Sequence, residues 1–66
     1  MEAAATPRAE LSSIGTVLDD VAARVSGIAE RTAGSELDWL AGELYEAERS
    51  LGEARRRVAR VVERLR

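Results

Sequence analysis

Apolar residues recur along this chain in two uninterrupted heptad rows separated by a single Gly-Ser. In the first row Leu11, Ile14, Leu18, Val21, Val25, Ile28 and Thr32 alternate steps of three and four. In the second, Leu37, Leu40, Leu44, Ala47, Leu51, Ala54, Val58, Val61 and Leu65 keep the same spacing. Such steps average about 3.5 residues, which holds one stripe of a helix against a packed neighbour along its whole length. The pattern predicts an all-α chain. Its expected form is an antiparallel two-helix hairpin, a helical coiled coil that dimerises into a four-helix bundle, with both rows acting as the self-association seam.

Local signals set the expected boundaries. Residues 1–6 read as a disordered lead. Thr6 suits an N-cap and Pro7 the first helical position, where a missing N–H costs nothing. Helix one is predicted over 7–32, and Gly34 suits the left-handed position that follows a helix end. After a turn at 33–35, Ser35-Glu36-Leu37-Asp38 resembles a capping box with Asp in place of the usual Glu. Helix two is predicted over 36–65, completing one domain over 7–66. So short a connection makes the two helices antiparallel.

Pairing Thr32 with Leu37 across the turn implies a register, with Val25 near Leu44, Leu18 near Leu51 and Leu11 near Val58. Residues 59–66 then project about 12 Å beyond Leu11, at about 1.5 Å per residue. That overhang carries Val61, Val62 and Leu65, which a second chain covers better than the short Ala3–Ala5 stretch. Beside the first seam, Gly15, Ala22 and Ala29 recur at heptad spacing, a small-residue stripe that lets another helix approach closely. Gly27, Gly42 and Gly52 fall on outward positions, each about 1 kcal/mol less favourable than Ala. No role for these three follows from the sequence. Leu11 and Leu18 alternate with Ile14, Val21 and Ile28, a Leu/Ile pattern that shifts parallel coiled coils toward four strands.

With 66 residues the chain makes one small domain. It has no Cys and no His, which removes disulfides, thiolate metal sites and the commonest general base. Ser12, Ser13, Ser26 and Ser50 have no base to activate them. Asp19 with Asp20, and Glu43 with Glu46, read as solvated helix surface, so no enzyme, cofactor or metal centre is expected. All ten basic residues are Arg, a composition associated with GC-rich genomes and hence with a bacterial source. The first residues lack the basic start and apolar core of a signal peptide, and no apolar run approaches a membrane span of roughly 18–20 residues. A soluble cytoplasmic protein is the expectation.

The net charge is −2, but it is divided along helix two. Glu36, Asp38, Glu43, Glu46 and Glu48 precede Arg49, Arg55, Arg56, Arg57, Arg60, Arg64 and Arg66, interrupted only by Glu53 and Glu63. Acids at a helix start and bases at its end complement the macrodipole, and Glu53 with Arg57 is a favourable i,i+4 pair. The same division also suits antiparallel pairing of helix two with a copy of itself, acidic half on basic half. As a nucleic-acid signal the Arg run is weak. Adjacent Arg residues point about 100° apart on a helix, and no aromatic residue is interleaved for base stacking.

Trp39 and Tyr45 are the only aromatic residues, and both lie off the seam. Trp39 is expected to fold over the turn and cover Ile28. The alternative role is a partner-binding anchor, as Trp and Tyr are enriched among interface hot spots. A helical hairpin with Trp39 and Gly42 near its turn resembles in architecture the Trp-x-Gly family of small secreted helical hairpins. That resemblance implies an obligate partner-binding subunit. It carries no residues over, since Trp39-Leu-Ala-Gly42 lies inside helix two and Arg49 follows Tyr45 where the family has an acid. The leading reading is a non-catalytic protein–protein interaction module, a small self-associating adaptor or assembly subunit. Its partners would be itself, as a homodimer, and another protein, with Trp39, Tyr45, Arg56, Arg60 and Arg64 as candidates for the second contact. No membrane or small-molecule partner is expected, and weak nucleic-acid binding through the Arg-rich C-terminal half of helix two is the remaining, less favoured alternative.

Overall fold

A computed structural model describes residues 5–65. Helix α1 spans Ala5–Thr32 and helix α2 spans Asp38–Arg64. They pack against each other as a hairpin, a rod with Cα extents of 55 × 14 × 10 Å. The all-helical hairpin read from the heptad spacing is therefore the fold. No described helix is long and apolar enough to cross a membrane.

Helix α1 starts earlier than expected. Thr6 and Pro7 lie inside its first turn rather than at the cap and the first position. Proline fits there because the first four N–H groups of a helix have no intrahelical acceptor. Residues 1–4 of the expected lead lie outside the described residues.

The turn explains where α2 begins. Gly34 adopts φ 77°, the left-handed conformation that glycine takes without a Cβ clash. The Ser35 hydroxyl donates to the Thr32 carbonyl at 2.6 Å and accepts the Leu37 N–H at 3.0 Å. The Asp38 carboxylate accepts the Gly34 N–H at 2.6 Å. The expected capping box is thus displaced. Ser35 binds Leu37 instead of Asp38, and Asp38 reaches back one residue further. These bonds use up Leu37 in the turn, so α2 starts at Asp38 rather than at residue 36.

A longer turn changes the register. Arg8 Nη1 donates to the Leu65 carbonyl at 3.4 Å, and Arg55 Nε donates to Asp19 Oδ1 at 2.7 Å. Leu11 is therefore level with Val62, not Val58, a displacement of about one helical turn from the expected pairing. Over the described residues 59–65 the expected projection is absent, because the first turns of α1 lie alongside them.

The heptad rows also divide differently from expectation. On α1, the residues turned toward α2 are Leu11, Gly15, Leu18, Ala22, Val25, Ala29 and Thr32. On α2 they are Ala41, Leu44, Glu48, Leu51, Arg55, Val58, Val62 and Leu65. The Gly15/Ala22/Ala29 stripe packs within the hairpin instead of waiting for another helix. The register sets Leu44 level with Ala29, Leu51 with Ala22 and Val58 with Gly15, large residues opposite small ones, although at Gly15 a Cβ would still meet nothing within 4 Å. Ala29 is fully buried and Ala41 is 4% exposed, but among the described residues no large side chain is fully buried. The accessible surface is 5008 Å². A compact chain of this mass exposes about 4,100 Å². The hairpin leaves more surface in water than a closed domain would.

Candidate functional site

The displaced half of the expected seam makes an exposed apolar row. Ile14 is 46% exposed and Ile28 40%, with Val21 half-buried between them and Val17 exposed beside them. On α2 the corresponding row is Leu40, Ala47, Ala54 and Val61, of which Val61 is 41% exposed. Leu37 adds an exposed apolar side chain at the turn.

Both rows lie on the same face of the hairpin, and symmetry gives the reason. Two antiparallel helices are related by a pseudo-twofold normal to their common plane. Each helix uses the same two heptad positions to face the other, so the row beside them falls on the same side in both. The result is a strip of aliphatic residues, mostly β-branched or small, along one face of the hairpin. Exposed apolar patches of this continuity mark interaction surfaces in soluble proteins.

The opposite face is polar and grooved. Near the open end, a groove of about 180 Å³ runs between Leu11, Ser12, Gly15, Asp19, Arg55 and Ala59. Toward the middle, a more open one of about 410 Å³ is bordered by Ala22, Tyr45, Glu48, Gly52, Arg55 and Arg56. Arg55 and Glu48 occupy heptad positions that face α1, where their aliphatic stems take the place of a Leu and their heads reach water. Arg49 pairs with Glu46 at 3.6 Å and Arg24 with Asp20 at 3.8 Å, both fully on the surface. The expected Glu53–Arg57 pair is not made among the described residues.

Trp39 does not fold over the turn. It is 68% exposed and leaves Ile28 uncovered, because its heptad position points away from α1. Tyr45 stands exposed at the rim of the wider groove. Arg56, Arg60 and Arg64 form an i,i+4 row along the outer side of α2. Two of the unexplained glycines have an Arg head lying over them at ordinary contact distance. The Arg56 guanidinium lies over Gly52, 3.4 Å from where a Cβ would stand, and Arg31 covers Gly27 at 3.7 Å. These contacts arise from i,i+4 placement and could have been read from Gly27-Arg31 and Gly52-Arg56. Gly42 has open space around it.

Among the described residues no cluster of three acidic side chains is arranged to hold a metal ion. No protein-family model, curated protein or solved structure matches the chain. The reading of the site therefore rests on its own geometry.

Proposed function

We propose that the chain is a non-catalytic protein–protein interaction module. Its hairpin pairs with a second copy through the Ile14/Val21/Ile28 face, and the resulting four-helix bundle serves as a small adaptor or assembly subunit. One observation carries this reading: both helices turn an apolar row to the same face, in a hairpin that buries no large side chain of its own. Covering that face with an identical one converts two half-cores into the layered core of a bundle. The outer side, with Trp39, Tyr45, Arg56 and Arg60, then stays open to another protein, while Arg64 lies at the edge of the paired face.

Coupling of folding to association tests the proposal, because a dimer's stability depends on concentration by mass action. Thermal unfolding followed by helical circular dichroism should shift upward as the chain is concentrated from micromolar to hundreds of micromolar. A cooperative helical transition at one temperature throughout that range would overturn the proposal.

A further inference from the structure

We infer that the two copies join turn to turn, so that α1 of each hairpin lies on α2 of the other. This orientation rests on the self-association proposed above and specifies which rows meet. The size pattern of the apolar face selects it. On α1 the row is large, Ile14, Val21 and Ile28, whereas the α2 row is small at its centre, Ala47 and Ala54. A twofold axis along the hairpin sets Ile28 over the partner's Ala47 and Val21 over the partner's Ala54. Large side chains then enter small gaps at every central layer, the same matching that joins Leu51 to Ala22 inside one hairpin. A twofold axis across the hairpin instead stacks Val21 on the partner's Val21 and Ala54 on the partner's Ala54. One helix pair would be forced apart while the other closed, departing from the even 8–10 Å interaxial spacing of packed helices.

Charges at the edge of the face complete the match. One heptad position outward, α1 carries Glu10 and Arg31 at its ends with Val17 and Arg24 between them. There α2 carries Glu43 and Arg64 at its ends with Ser50 and Arg57 between them, so the four end charges can oppose one another. All four are exposed, and none makes an ion pair within the described hairpin. Because Arg8 is level with Leu65, Glu10 lies at the height of Arg64 and Arg31 at the height of Glu43. Turn-to-turn pairing brings Arg31 to the partner's Glu43 and Glu10 to the partner's Arg64. The crosswise arrangement also opposes unlike charges, but it pairs Arg31 with the partner's Glu10 and Glu43 with the partner's Arg64. The partner of Arg31 therefore distinguishes the two.

The chain has no native cysteine, so Ala33→Cys at the exposed turn takes a single spin label. Turn-to-turn pairing predicts a label separation below about 30 Å, two layers of helices at 8–10 Å spacing plus the label arms. Crosswise pairing separates the turns by the length of a 27-residue helix, about 40 Å or more. A short distance supports the inference. A long distance in a sample of dimeric mass overturns the orientation and leaves self-association standing. Absence of any dipolar coupling in a sample of single-chain mass overturns both. As a second measurement, Arg31→Glu should weaken the dimer about tenfold, two exposed pairs being reversed at once. Adding Glu43→Arg should restore it, and restoration by Glu10→Arg instead would overturn the inference.

Discussion

Arg55 reaches across the hairpin to Asp19, its Nε 2.7 Å from the carboxylate, from a heptad position that an aliphatic residue would fill in a plain coiled coil. Together with the Arg8–Leu65 contact it locks α2 one turn away from the register that the apolar spacing alone suggests. The pair is partly solvated, with the Arg55 side chain 40% exposed. Its contribution to stability is therefore small, and its larger effect is to select one alignment of two helices that could slide.

Asp19→Ala should accordingly lower stability by less than about 1 kcal/mol, and the loss should shrink as salt rises. Urea unfolding at low and high ionic strength checks both parts. Arg55→Leu is expected to be neutral or stabilising, since an aliphatic side chain suits that position. A loss above about 2 kcal/mol for Asp19→Ala would show that the pair is a principal support of the fold.

At the turn, Gly34→Ala should cost about 1 kcal/mol, because φ 77° is strained for any residue with a Cβ. Asp38→Ala should cost a similar amount, about 1 kcal/mol, by leaving the Gly34 N–H without its acceptor. Thermal melts of the two variants and of their combination give the check. If both act on the same turn, their effects should add to less than the sum.

Within the helices the glycines should separate by surroundings. Gly42→Ala meets nothing within 4 Å and should raise stability by about 1 kcal/mol, the intrinsic helix preference. Gly52→Ala would place its Cβ 3.4 Å from the Arg56 guanidinium, at the close end of ordinary contact, and should gain slightly less. Equal gains at both positions would mean that the Arg56 head moves aside without cost.

Much of this architecture is legible in the residues, and the exceptions have identifiable causes. The heptad steps gave two antiparallel helices, and Gly34 marked the end of the first. Register did not follow, because it depends on how Ser35 and Asp38 divide their hydrogen bonds, and capping preferences alone allow a shift of two residues. The choice between Ile14 and Gly15 as the inward residue was also ambiguous. Both lie beside the Leu11/Leu18/Val25 row at equivalent angles. Hydrophobicity favours Ile14, whereas close approach of two helices favours Gly15, Ala22 and Ala29. In the structure Gly15, Ala22 and Ala29 turn inward, and that outcome leaves the Ile14 row on the outside. Trp39 was misplaced for the same reason: a rotation of α2 turns its position from the turn to the solvent.

Trp39→Ala should leave both helicity and solution mass unchanged, since the side chain is 68% exposed and lies off the proposed interface. Its fluorescence should be red-shifted and open to acrylamide quenching at every protein concentration. A blue shift on concentrating the chain would place Trp39 inside the interface instead.

The central claim is that the Ile14/Val21/Ile28 face is covered by a second copy of the chain. Light scattering on the purified protein at tens of micromolar tests it most directly. The account predicts twice the single-chain mass of 7.2 kDa. It also predicts that Ile14→Glu with Ile28→Glu returns the mass to that of one chain. A wild-type chain that is fully helical and cooperative at single-chain mass would contradict it.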